Sequence, residues 1–363
     1  MSTPATLTAL IDRYIAHNEF AGAAVIALKR GQVVLEHYAG NAAPGLAASA
    51  DTLWPLASIS KVYSAATIMR LVELGELTLN TRATSLLPAF SGGSRDAVRI
   101  RHLLTHTAGL MYESPAMAQR LRSQTSLADM LDEAIESTPL FAAGTQLSYS
   151  DYHWLILANI AETITGQSFA AAMQALVLTP MGLSQTLFPA GAAANLAHVR
   201  GALAEGSSGD MYNSAYGRSL AHPAFGVVAS ARDVARFAMH FMPAGPRVLS
   251  EPTVWAMTHD QTAGVPGQYL IIDGYGRQPQ HAWGIGWALQ TAQTPALFSE
   301  LLSFDSFGHH GASGCQVLAD PRQELVVVVL SNTHLNTGMD RWYDRLQAIA
   351  ACTIAGVANF GGE

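Results

Sequence analysis

Ala23-Ala24-Val25-Ile26-Ala27-Leu28-Lys29-Arg30-Gly31-Gln32-Val33-Val34-Leu35-Glu36-His37-Tyr38 holds two β-rich runs around a polar, glycine-containing break. Lys29-Arg30-Gly31-Gln32 has the make-up of a hairpin turn, which leaves Lys29 as a solvated turn charge. Upstream, residues 5–17 carry Leu7, Leu10, Ile11, Tyr14 and Ile15 at helical spacing. At the far end, residues 284–290, 314–318 and 325–330 are predicted strands, and 340–355 form an amphipathic closing helix. Asp320-Pro321-Arg322-Gln323 supplies the turn between the last two strands. Residues 58–74 predict a helix with Ala65, Ile68, Met69, Leu71 and Val72 on its apolar face and Gly75 as its stop. From about 80 to 211 the pattern is mostly helical, strongest at 100–105, 127–135, 152–164 and 169–178. Residues 206–219 read as a loop, and 231–241 as another helix. The predicted class is α+β, an α/β sandwich: one antiparallel sheet built from both chain ends and flanked by terminal helices, with an all-α domain inserted. The expected boundaries are 1–79 and 215–363 for the α/β domain and 80–214 for the helical insertion.

Composition narrows the function. The chain has 363 residues, a net charge of −7 and only 13% charged residues, about half the roughly 25% of an average soluble domain. No basic block could track a phosphate backbone, which excludes nucleic-acid binding, and no polybasic segment could hold an anionic membrane. A hydrophobic share of 49% excludes disorder. Two cysteines, Cys315 and Cys352, are too few for a disulfide framework. The first residues lack the basic start, apolar run and cleavage site of a signal peptide, and no apolar stretch is long enough to span a bilayer, so the expected location is cytoplasmic. Of the 20 basic residues only Lys29 and Lys61 are lysines.

Lys61 follows Ser58 by three residues at the head of a predicted helix, so hydroxyl and amine share one face. A serine needs a base to act as a nucleophile, and a lysine can be that base only when neutral. The positive end of the helix disfavours the ammonium and favours a developing oxyanion. Taken singly, Ser-x-x-Lys is a frequent coincidence, and Tyr149-Ser150-Asp151 or Phe307-Gly308-His309-His310-Gly311 would pass for a loop before a helix or a strand.

As a set and in this order, the three segments resemble the motifs of serine β-lactamases and penicillin-binding proteins, most nearly the class C β-lactamases and related carboxylesterases. Leu71-Val72-Glu73-Leu74-Gly75-Glu76-Leu77, Ile100-Arg101-His102-Leu103-Leu104-Thr105-His106-Thr107-Ala108-Gly109-Leu110, Phe225-Gly226-Val227-Val228-Ala229-Ser230 and Trp283-Gly284-Ile285-Gly286-Trp287 extend the likeness over most of the chain. The resemblance implies that Ser58 forms an acyl-enzyme and that Lys61 and Tyr149 share the proton transfers, the base among them left open. It also implies that the backbone N–H groups of Ser58 and Ala312 form the oxyanion hole and that Gly311 permits close approach of the strand to substrate. Two departures bear on substrate. Asp151 stands where the family usually has Asn, and would favour the charged form of Lys61. His309-His310-Gly311 replaces Lys-Thr-Gly, which removes a cation and a small hydroxyl suited to a β-lactam's carboxylate.

The expected function is therefore a serine hydrolase acting on a small ester, amide or peptide. A β-lactamase, a D-amino-acid peptidase or an acyltransferase is the alternative, and a non-catalytic binding protein of the same fold is the remote one. No cofactor and no metal is predicted: His102 and His106 stand four apart, but no Glu follows His102 and no third ligand is evident. Trp283 and Trp287 are expected in the core or pocket wall, and Cys315 as a small buried strand residue.

Overall fold

The structure, a computed structural model, describes residues 3–265, 270–272, 276–278, 282–292, 294, 297–337 and 339–358. Its centre is an eight-stranded sheet of antiparallel neighbours in the order Leu46–Ala47, Gln32–Ala43, Gly22–Lys29, Leu325–Ser331, Cys315–Asp320, Phe307–Gly311, Ala288–Leu289, Ala282–Trp283. The chain ends meet where Ala23 pairs with Ser331 and Lys29 with Leu325. The opening hairpin closes through Arg30 and Gly31, both at positive φ (52° and 75°), the conformation that matches the twist of the strands.

Leu325-Val326-Val327-Val328-Val329-Leu330 is buried at every position, because both faces of the sheet are covered. On one face the terminal helices Thr3–Ala16 and Met339–Val357 pack together, with Leu7, Ile11, Val25, Val327, Val329 and Ile349 in the layer between. On the other face lies Ala231–Met239. One continuous apolar cluster runs from that face (Ala24, Ile26, Val317, Val328) through the serine helix Ser60–Glu73 into the helices between residues 80 and 214. Fully burying each Val, Leu or Ile of this kind contributes about 1.5–3 kcal/mol. Among the described residues no helix is long and apolar enough to cross a membrane.

Three expectations change. The run 284–290 is not one strand: Gly284 N–H donates to Trp287 O at 2.9 Å and Gly286 sits at φ 78°, so short strands flank a turn. Phe307–Gly311 does not merely precede a strand but is one, paired in register with Cys315–Asp320. The predicted loop 206–219 ends in the short helix Ala215–Ser219, nucleated by Ser214, whose side chain accepts from Gly217 N–H at 2.9 Å.

Candidate active site

Ser58 lies in the 3-10 turn Ala57–Ile59, which runs directly into Ser60–Glu73. Ala57 has φ 46°, a left-handed conformation that costs a residue with a Cβ on the order of 1 kcal/mol or more and that turns the chain sharply just before the hydroxyl. The head of the helix is tied to the 223–227 segment: Val227 N–H donates to Ser60 Oγ at 3.0 Å and Ser64 Oγ donates to Pro223 O at 2.7 Å. One helical turn after Ser58, Lys61 is fully buried. Its Nζ is hydrogen-bonded to Ser58 Oγ at 2.9 Å, donates to Ala224 O at 3.1 Å, and pairs with Asp151 Oδ1 at 2.7 Å. Burial, the largest influence, lowers the Lys61 pKa, while Asp151 and then Glu113 pull it back up. The net direction is down, toward the neutral amine.

Tyr149, Ser150 and Asp151 lead into the helix Tyr152–Thr165. Their backbone is braced on a neighbouring loop, with Asp151 N–H donating to Tyr112 O at 2.6 Å and Ser150 Oγ donating to Met111 O at 2.5 Å. The Tyr149 ring centroid lies 4.8 Å from Lys61 Nζ, and its phenol hydrogen-bonds Ser58. Burial first, and the Asp151 charge second, push the phenol well above its ordinary range, against the opposing hydrogen bond from Ser58. The two candidate proton carriers are thus driven apart, amine down and phenol up.

The third segment divides. His309 shares the face of Phe307 and lies near Tyr149 and Trp283, with ring centroids 6.2 and 5.7 Å away. His310 does not join the site. Side chains alternate along a strand, so its ring points to the opposite face, where it packs on Phe298, Trp342 and Tyr343. The expectation that His310 takes the Thr position beside substrate is corrected, and the substrate argument rests on His309 alone.

Gly311 has a structural reason of its own. A Cβ there would stand 2.1 Å from Leu56 O, so the glycine lets the strand lie against the backbone that leads to Ser58. Ser313 Oγ, donating to Pro55 O at 2.5 Å, fastens the same contact, and Ala312 lies between the two. Gly311→Ala is expected to destabilise by about 1–3 kcal/mol and to lower turnover by shifting Ala312. Thermal melts and kcat check it, and an unchanged variant would contradict the contact.

Trp283 is 3% exposed beside Tyr149, and Trp287 lies wholly in the core. Cys315 is buried with its thiol pushed up to about 11 by burial, far from thiolate chemistry. His102 accepts Arg99 N–H on Nδ1 at 3.2 Å, whereas His106 sits against Tyr149. Among the described residues no group of three or more His, Cys, Asp or Glu could hold a metal ion.

Three participants were not read from sequence. Ala224 acts through its carbonyl, which no side-chain pattern reveals. Glu113 is pushed up to about 8 by burial and then by Asp151; it sits three residues past the family-like 100–110 segment, and that adjacency was its only signal. His153 lies within the apolar helix and contacts His106.

A family profile described as Beta-lactamase matches residues 7–351. The chain is 30% identical to penicillin-binding protein 4 of Amycolatopsis lactamdurans, over 79% of this chain and 74% of that protein. It is likewise 30% identical to esterase EstB of Burkholderia gladioli, over 92% of this chain and 91% of that one. Among solved structures, a penicillin-binding protein homologue from Caulobacter crescentus superposes with a TM-score of 0.75 at 20% identity, covering 97% of this chain and 98% of the other. EstCE1, a hydrolase with promiscuous acyltransferase activity, superposes at 0.76 with 22% identity, covering 96% of this chain and 98% of the other. With a family profile spanning the sheet, the helical middle and all three segments that converge on Ser58, this chain belongs to the beta-lactamase family of serine hydrolases.

Proposed function

We propose that this protein hydrolyses small carboxylic esters through an acyl-enzyme on Ser58. Lys61, as the neutral amine, takes the Ser58 proton while Oγ attacks the carbonyl carbon. The backbone N–H groups of Ser58 and Ala312 receive the oxyanion. Tyr149, held as a phenol by its burial, donates its proton to the departing alcohol and recovers one from Lys61. Water then repeats the sequence on the acyl-enzyme. The observation that carries this reading is the 2.9 Å hydrogen bond between the Ser58 hydroxyl and a lysine whose basicity burial lowers.

The preference for esters over β-lactams rests on His309, which occupies the position where the family usually has a lysine to hold a carboxylate. An imidazole lacks the permanent charge of a lysine and so attracts that carboxylate less. Residues 80–214 are taken as the inserted domain, with the serine on one side of the seam and Tyr149 and Asp151 on the other. The test compares p-nitrophenyl butyrate with nitrocefin. The ester is expected to win in kcat/KM by about 100-fold or more, and a nitrocefin value equal to or above the ester's would overturn the preference.

A further inference from the structure

We propose that His106 is a positioning residue that clamps Tyr149 in its catalytic orientation from both sides of the chain and across the ring face. The inference rests on the proton-transfer role proposed for Tyr149. Three contacts hold the tyrosine and its two chain neighbours. Ser148 N–H donates to His106 O at 2.8 Å, and Ser150 N–H donates to His106 Nδ1 at 3.2 Å, so both neighbours of Tyr149 are bonded to the same residue. Between those bonds the His106 ring lies on the Tyr149 ring, centroids 4.5 Å apart and planes tilted by 32°. Trp283 and Trp154 close the box around the imidazole at 4.7 and 5.9 Å.

The chemistry of the imidazole follows from these partners. Nδ1 accepts from Ser150, so the proton of the neutral ring sits on Nε2. His153 Nδ1 lies 3.3 Å from His106 Nδ1 and must present its own N–H there, since that atom has no proton to give. A proton on His106 Nδ1 would set donor against donor at the Ser150 contact. The surroundings oppose that proton: His106 is fully buried, burial is the main cause that lowers its pKa well below the ordinary range, and any positive charge on His153, Lys61 or His309 lowers it further. The residue type is restricted as well. His106 has φ 58°, a left-handed conformation that Asn and His adopt more readily than most residues.

The test is a double-mutant cycle with p-nitrophenyl butyrate, each variant's melting temperature being measured alongside. His106→Ala is expected to lower kcat by about 100-fold, as expected for a misplaced catalytic group. KM should stay within about threefold, because the loss belongs to the transition state. His106→Asn keeps an acceptor for Ser150 and tolerates the backbone, so it should recover at least roughly tenfold of that loss. In the Tyr149→Phe background, His106→Ala should cost no more than about twofold, because the clamp then has nothing to position. Equal losses in the two backgrounds would overturn the clamp while leaving Tyr149's own role standing. Full activity of Tyr149→Phe alone would instead remove the proton-transfer reading and the clamp with it. If His106→Ala does not fold, His106→Asn and His106→Phe carry the same comparison with and without Tyr149→Phe.

Discussion

Ser58→Ala is expected to reduce ester hydrolysis by about 10⁴-fold or more, because the residues of a nucleophile–base unit act together and loss of the nucleophile removes the acyl-enzyme route. The fold should barely register the change. Ser58 is only half-buried, and losing its hydroxyl's bonds to Lys61 and Tyr149 leaves the amine still held by Asp151 and Ala224. A melting temperature close to wild type, with activity at background, is therefore the expected pair of results. A fluorophosphonate probe should label the wild type and not the variant. Equal labelling of both would remove Ser58 as the nucleophile and would place the reactive hydroxyl elsewhere.

How far the sequence could be read depended on which atoms carry each interaction. The terminal helices were legible because their apolar side chains repeat with the helical period, the hairpin because a polar, glycine-containing break parts two β-rich runs, and 325–330 because it is a short continuous run of valine and leucine. Ser58, Lys61 and Tyr149 were legible because their chemistry is in their side chains. Two things were not. Whether His309 or His310 faces the site turns on the phase of a strand whose existence was missed: Phe-Gly-His-His-Gly has two glycines and no apolar alternation to announce it. The grip of Ala224 O on Lys61 and the stacking of Gly311 against Leu56 O are backbone events, and they need the fold before they can be seen. His106 belongs to the same group. Its i, i+4 spacing from His102 raised a metal question, while its actual partners, Ser148, Tyr149 and Ser150, lie some forty residues along the chain.

Lys61 separates structural from chemical roles most sharply, because it serves both. Lys61→Met removes the partner of a buried carboxylate, Asp151 being 3% exposed, and should cost about 3–5 kcal/mol of stability as well as about 10³-fold or more in turnover. Lys61→Met combined with Asp151→Asn removes the stranded charge, so most of the stability should return while turnover stays at the level of Lys61→Met alone. Recovery of activity together with stability would mean that the lysine only supports the fold. Asp151→Asn by itself tests the charge balance in the other direction. Asp151 raises the Lys61 pKa against the lowering effect of burial. Without the carboxylate the amine therefore loses its proton at lower pH. A base active in its neutral form then remains available further into acid, so the acid limb of the kcat/KM profile should move to lower pH. A move to higher pH, or none, would mean that the group titrating on that limb is not Lys61. Arginine sharpens the same distinction, since a guanidinium can still pair with Asp151 but cannot give up its proton. Lys61→Arg should leave a charged, inactive site, which is why one of the chain's two lysines stands at this position.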